Sequence, residues 1–408
     1  MANSTDSISI FAEGTFEEQI LELLSYIARN RNDEDRTAFV APFQNALKSG
    51  EGKKPIEEDE NRRKLILSKL LVEIRGLGDG SDKEIEGFFN LVFAHIFSLY
   101  PFDSPEVKQY LDAILNTISG SPSERLSVKY RVLSNLFNSL PKSSPLRLSV
   151  YRTILQIATS KDNLNALELT KSDVQKWLSE WEITNEEKSV FLKAIVDAYV
   201  QAEELTVAYE YSLQYVQTLA PSSEEAKVAA LDVIATALRL PGVFDFDPLF
   251  KLDAVINVKD HELFSLLQVF LNGGLPEFNA WQSKHSPILE KYQIPTIELE
   301  RKIRLLTLAS LAFSHIGQNL SYSRIAEGLQ VDLSEVEKWV IDVIRAGLVW
   351  GKLSQTTQSL HISRATSRSF EREQWQALEK RLVAWKSGLA GILDVVVTAK
   401  RQGGQIAA

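Results

Sequence analysis

The stretch Arg301–Ser363 constrains the fold more than any other, because it sets three helical stripes in front of the one clear strand pattern in the chain. Leu305, Leu306, Leu308, Leu311 and Phe313 make a segment that is apolar nearly all round, the pattern of a buried helix. Ser321 is placed to N-cap a second, short helix with Ile325, Ala326 and Leu329 on one face. Ser334 and Glu337 have the S-x-x-E spacing of a capping box, in which each side chain satisfies an orphaned backbone N–H. They precede a third stripe, Val336, Trp339, Val340, Val343 and Ile344, which Gly347 can close in a left-handed conformation. Leu348–Ser354 and Ser359–Ser363 then alternate as strands around the polar turn Gln355–Gln358. Three helices and a two-stranded wing are the predicted unit.

The rest of the chain reads as capped helices with short breaks. Thr15 with Glu18, Thr184 with Glu187 and Ser222 with Glu225 have capping-box spacing, and Ser104-Pro105, Ser121-Pro122 and Ser144-Pro145 suit an N-cap followed by a first helical residue. Short breaks favour antiparallel neighbours, and stacked helical pairs would bury a continuous core as in a solenoid, although no clean sequence period recurs. Residues 1–12 read as a tail. The charged stretch after Leu47 reads as a solvated loop, and "GLGDGSD" lacks the lysine and the preceding strand of a phosphate loop. After the wing, Phe370, Leu378, Leu382, Trp385, Leu389, Ile392 and Val396 recur at three- and four-residue spacing, which predicts one long helix over about Phe370–Thr398 with a frayed end. The expected class is therefore all-α: an N-terminal helical-repeat solenoid, a winged helix with a small β-hairpin wing, and a long C-terminal helix.

Composition narrows the function. The chain has 408 residues, 44% hydrophobic and 24% charged, an ordinary globular balance with room for two or three domains. The absence of cysteine excludes disulfides, thiolate metal sites and a cysteine nucleophile. No signal-peptide pattern opens the chain and no run approaches about 18 consecutive apolar residues, so a cytoplasmic location without membrane attachment is expected. A net charge of -9 argues against the whole chain being an electrostatic binder of nucleic acid.

No catalytic constellation is visible. His95, His261, His285, His315 and His361 are scattered singly, without metal-ligand spacing; no enzyme, metal or cofactor is expected. In the third helix of the winged unit Glu335, Glu337 and Asp342 outweigh Lys338 and Arg345, the wrong charge for reading DNA in the major groove. Around and after the wing, Lys352, Arg364, Arg368, Arg372, Lys380, Arg381 and Lys386 outnumber Glu371, Glu373 and Glu379. Lys352, Arg364, Arg368 and Arg372 are the candidate RNA contacts, against the favoured reading of a solvated, salt-bridged face.

One resemblance adds to this. "SYSRIAEGLQVDLSEVEKWVIDVIRAGLVWGKLSQTTQSLHIS", preceded by "FDFDPLFKLDAVINVKDHELFSLLQVFLNGGLPEF" and followed by "SRSFEREQWQALEKRLVAWKSGL", resembles the PCI domain shared by the proteasome lid, the signalosome and translation initiation factor three, and is similar above all to members of the last. The resemblance divides the chain into helical repeats over 13–205, a PCI domain over 206–370 (helical part 206–300, winged helix 301–366), an assembly helix over 371–398 and a flexible tail over 399–408. It implies a non-catalytic scaffold subunit that supports small-ribosomal-subunit binding and recruitment of mRNA and initiator tRNA. Its partners would be other initiation-factor-three subunits, especially PCI subunits. A signalosome or lid subunit is the first alternative, and a winged-helix nucleic-acid regulator the second. Two interfaces are expected: the wing edge at Ser359, His361 and Ser363, and the C-terminal helix through Trp375, Leu378, Leu382, Trp385, Leu389 and Ile392.

Overall fold

The computed structural model describes residues 14–48, 54–122, 125–368 and 372–405, so the segment read as an N-terminal tail lies outside it. The chain forms two compact units, residues 1–218 and 219–408. The first contains α1 (Phe16–Ile27), α2 (Asp33–Leu47), α3 (Glu60–Val72), α4 (Asp82–Leu99), α5 (Pro105–Gly120), α6 (Leu126–Ser139), α7 (Leu146–Ser160), α8 (Lys171–Glu180), α9 (Asn185–Gln201) and α10 (Leu205–Thr218). Packing of α4 on α6, α5 on α7 and α7 on α9 places each helix against the second one along, the arrangement of stacked helical pairs.

Local chemistry sets these helix starts. Both halves of the capping box form at Thr15–Glu18 and Thr184–Glu187, and a further box forms at Ser81–Glu84. Ser104 caps α5 with Pro105 as its first residue. The other two Ser-Pro pairs act differently. Ser121 ends α5, its hydroxyl donating to the Ile118 carbonyl at 2.6 Å, and Pro145 is itself the N-cap of α7. At α11 (Glu224–Arg239) the cap is Ser223, which accepts from the Ala226 N–H, and not the neighbouring Ser222.

The second unit continues with α12 (Asp247–Phe250), α13 (Asp253–Ile256), α14 (Glu262–Asn272), α15 (Leu275–Lys291) and α16 (Thr296–Ser314). The winged helix follows: β1 (Asn319–Ser321), α17 (Tyr322–Leu329), α18 (Val336–Arg345), β2 (Val349–Ser354) and β3 (Ser359–Ala365), and after it α19 (Arg372–Gln405). Its core joins Leu305, Leu308, Ala309 and Ala312 of α16 to Ile325, Leu329, Val336, Val340, Val343, Leu360 and Ile362. Gly347 closes α18 at φ +69°, with its N–H on the Ile344 carbonyl and that of Leu348 on the Val343 carbonyl. These are the paired bonds of a Schellman end, which favours glycine at the left-handed position.

Two details differ from the sequence expectation. The sheet has three strands in the order β1-β3-β2, because Asn319–Ser321 pairs with His361–Ser359. Only three residues long, β1 is too short to show an alternating pattern. The Ser334–Glu337 box does not form either: Leu333–Glu335 makes a 3₁₀ turn into α18, with the Glu335 N–H on the Asp332 carbonyl. Glu337 instead accepts from the Tyr322 hydroxyl (3.3 Å) and the Gln355 amide (2.8 Å), tying α17 and the wing turn to α18.

Lys302 fixes α16 on the helical part. Only 2% exposed, it donates from Nζ to the carbonyls of Ala237, Leu238 and Leu240 at 2.8, 3.1 and 2.6 Å, satisfying the C-terminal end of α11. Burial pulls its pKa from 10.5 down to about 7, and the three carbonyls oppose this, since only the ammonium form supplies three N–H donors. The folded value lies below the unfolded one, so between about pH 7 and 10 the unfolded chain binds the extra proton, and the stability due to this group rises with pH by up to ~1.4 kcal/mol per unit. Lys302→Met is expected to lower stability at pH 7 by about 1–3 kcal/mol through orphaned carbonyls, and to remove that part of the pH slope. Urea midpoints of both proteins from pH 6 to 10 check this; parallel curves would contradict it.

Candidate functional site: the wing and the C-terminal helix

The solvent face of the wing is built by register. Trp350 stands opposite Arg364 and Lys352 opposite His361, while Gly351 pairs with Ile362, so Ser363 is the extra residue of a β-bulge in β3. A bulge re-aims the side chains beyond it, which puts Arg364 on the same face as His361. The Arg364 guanidinium lies 4.5 Å from the centre of the Trp350 ring. His361 Nδ1 is bonded to the Asn319 side-chain oxygen at 2.8 Å, linking β3 to β1. At Gly351 the strands come so close that a Cβ would collide with the His361 carbonyl, so no other residue fits there without moving a strand.

The expected wing-edge interface is corrected by this topology. Ser359 and His361 lie on the central strand, with ladder partners on both sides, Ser321 and Ser354 for the first and Asn319 and Lys352 for the second. Ser359 is also buried. Ser363 is exposed at the bulge, and its hydroxyl donates to the Trp350 carbonyl at 2.9 Å. The outer strands of the sheet are β1, three residues long, and β2, whose outer side is the longer backbone edge.

The basic candidates separate. Lys352 and Arg364 are exposed on the wing face. Arg368 is not available: Nε donates to the Leu306 carbonyl (2.9 Å), Nη2 to the Thr307 hydroxyl (3.1 Å) and Nη1 to the Gly273 carbonyl, and burial pulls its pKa down. It is a structural clamp between α14 and α16. The Arg372 side chain lies outside the described residues, as does Phe370. The acids of α18 are partly engaged within the fold, Asp342 pairing with Arg301 at 3.1 Å.

Along α19 the apolar side chains are exposed. Trp375, Leu378, Leu382, Trp385, Leu389, Ile392 and Val396 are 37–67% exposed and alternate at spacings of three and four, the a/d seam of a coiled coil. The helix continues to Gln405, past the expected end near Thr398. The segment Leu378–Ala399 is also long and apolar enough to cross a membrane. A search for unbroken apolar runs misses this, because Glu379, Lys380, Arg381, Lys386 and Asp394 interrupt it.

No arrangement suited to catalysis appears among the described residues, where no three His, Cys, Asp or Glu are grouped to hold a metal ion. A groove of about 770 Å³ in the first unit is lined by Asp112, Asp197 and the hydroxyls of Ser149, Thr153, Thr159 and Ser160, of which the last three donate to carbonyls of their own helix. Trp350, Lys302 and β1 escaped the sequence reading. Of these only Trp350 had a signal, its alternation with Lys352 on the polar face of a strand.

Helices packed in pairs, a winged helix with its sheet and an uncovered C-terminal helix define a PCI-domain protein, and residues 282–364 match the PCI domain. The particular family follows from the rest of the chain. Residues 368–396 match the family described as eIF3 subunit M, C-terminal helix. The chain is 34% identical to Eukaryotic translation initiation factor 3 subunit M of Phaeosphaeria nodorum, over 97% of this chain and 89% of the relative. It is 32% identical to the protein of the same name from Coccidioides immitis (98% and 90%) and 33% identical to that from Aspergillus terreus (96% and 87%). The chain belongs to the eIF3 subunit M family of translation initiation factor subunits. A signalosome or proteasome-lid subunit, and a winged-helix regulator, are not favoured by these relatives.

The division between structural and surface cations is directly measurable. Arg368→Ala is expected to cost about 1–3 kcal/mol, chiefly by taking the donor from the Gly273 carbonyl, since the Leu306 carbonyl keeps the Ser310 hydroxyl. Lys352→Ala should stay within about 0.5 kcal/mol of the parent, as exposed substitutions do. Urea unfolding of the two variants decides; equal effects would return Arg368 to the surface set.

Proposed function

We propose that this chain is a non-catalytic scaffold of translation initiation factor 3, held in the complex by α19, and that within it the chain supports small-ribosomal-subunit binding and recruitment of mRNA and initiator tRNA in the cytoplasm. Its direct neighbours would be other subunits of the factor, especially PCI subunits. Residues 13–205 act as helical repeats, 206–370 as the PCI domain (helical part 206–300, winged helix 301–366) and 371–398 as the assembly helix. The outer edge of β2, rather than β3, offers backbone groups to a neighbouring strand.

One observation carries this reading: the uncovered heptad seam of α19. An isolated helix gains little stability in water, so most of what holds a helix comes from packing its apolar face. The seam period of 3.5 residues suits a left-handed bundle of helices. A bilayer is a poorer host, since Lys386 lies close to the midpoint of Leu378–Ala399, where a buried lysine costs ~2.5–3.5 kcal/mol.

Changing Leu382 and Leu389 together to Asp separates the possibilities, because each carboxylate would need to be desolvated or protonated wherever a partner buries it. The isolated double variant should unfold within about 0.5 kcal/mol of the parent, both sites being exposed in the chain, yet fail to co-purify with initiation-factor subunits from cell lysate. Unchanged co-purification, or loss of the isolated fold, would count against α19 as the anchor. Flotation of the parent chain with lipid vesicles, abolished in the variant, would favour a membrane instead.

A further inference from the structure

We propose that the solvent face of the wing is a binding site for single-stranded RNA, in which a base stacks on the Trp350–Arg364 pair, the flanking phosphates meet Lys352 and the Arg364 guanidinium, and a ribose hydroxyl meets His361. This goes beyond the assembly role and uses none of the α19 seam.

The first support is charge. The chain carries 54 acidic residues against 45 Lys and Arg, yet no Asp or Glu occurs between Val343 and Phe370, nor in β1. Every strand of the sheet is free of carboxylates, and Glu337, the acid that reaches the wing turn, is held there by Gln355 and Tyr322. A polyanion therefore meets no carboxylate on the strands themselves in an otherwise acidic protein.

The second support is shape. Trp350 is 39% exposed on a strand whose inward Val349 is buried, and the Arg364 guanidinium lies 4.5 Å from the centre of its ring with no salt bridge to a carboxylate among the described residues. Indole and guanidinium are the two side chains on which unpaired bases stack. The bulge at Ser363 brings Arg364 over Trp350, and the ladder puts Lys352 and His361 alongside, one strand spacing away. With Nδ1–H donating to the Asn319 oxygen, the neutral His361 ring keeps Nε2 as an acceptor, which suits a ribose hydroxyl and not a phosphate. A duplex would not suit this face, since its bases are already stacked, and the adjacent α18 carries Glu335 and Glu337 where a groove reader needs donors. Membership of a translation factor family makes RNA the relevant strand.

The test is fluorescence anisotropy of a labelled 12-nucleotide uridine-rich RNA with the full chain, compared with the DNA of the same sequence. Wild type should bind saturably, with a salt slope of about -1.4 to -2 for two to three phosphate contacts. Trp350→Ala should weaken binding about tenfold with little change in slope, and Trp350→Phe should restore most of it. Lys352→Gln should lower the slope by about 0.7. No saturable binding by wild type, tighter binding of the DNA, or equal binding by Trp350→Ala would each overturn the proposal. Co-purification of the same variants with initiation-factor subunits is the companion measurement. If Trp350→Ala loses subunits and keeps RNA, the face docks protein and the RNA assignment fails; loss of RNA binding with subunits retained supports it and leaves the role of α19 untouched.

Discussion

Each α-helix ends in carbonyls that have no partner within it, and in a molecule built from packed helices several of those ends are buried. Water cannot reach them, so something in the chain must. In both units the solution is a long basic side chain from a neighbouring element. Lys129 donates to the Ser119 and Ser121 carbonyls at the end of α5, and Arg147 donates twice to Leu140 beyond α6. Arg62 reaches Ala46 and Lys48 at the end of α2, Lys302 closes α11, Arg239 donates to Tyr292 after α15, and Arg368 reaches Gly273 after α14. The positive charge also meets the negative end of the helix dipole, which offsets part of the desolvation it suffers.

This use of cations decides how the surface is read. A count of basic residues near the wing treats Lys352, Arg364 and Arg368 alike, but the last is buried among carbonyls and contributes nothing to an external field. What is left outside is small and specific: one lysine, one arginine on an indole, and a histidine fixed by Asn319. The same consideration applies to acids. Asp342 and Glu337 look like free charge on α18, yet one pairs with Arg301 and the other ties the wing turn to α17.

Much of the architecture was legible in the sequence because it rests on local rules. Thr15–Glu18, Thr184–Glu187 and Ser104-Pro105 depend on three or four adjacent residues, and Gly347 at the end of α18 on one. The stretches quoted between Phe244 and Leu389 sufficed to place the chain among PCI proteins and nearest to initiation factor three. The failures share a cause as well. Ser334 lost its box to a 3₁₀ turn, Glu337 went to the wing, and Asn319–Ser321 became a strand only because β3 was there to pair with. Those outcomes depend on residues ten to forty positions away, which no local pattern encodes. The strand Ser359–Ser363 was placed well, but its position in the sheet was not, since an edge is a property of the neighbours. Lys302 was invisible for the same reason: in sequence it interrupts an apolar stripe, and only the end of α11 explains it.

The two surfaces outside the fold differ in what they lack. On the wing face the backbone of the inner strand is paired on both sides and the sheet has a packed core behind it, so this face is ordered before anything binds to it. Along α19 nothing is complete. Its seam repeats without a break from Leu378 to Val396, and packing against the chain's own winged helix would have hidden at least part of it. Apolar side chains at that spacing form the seam of a helix bundle, and the chain supplies one helix of it. The most exposed element of the chain is thus the one whose stability depends on what covers it.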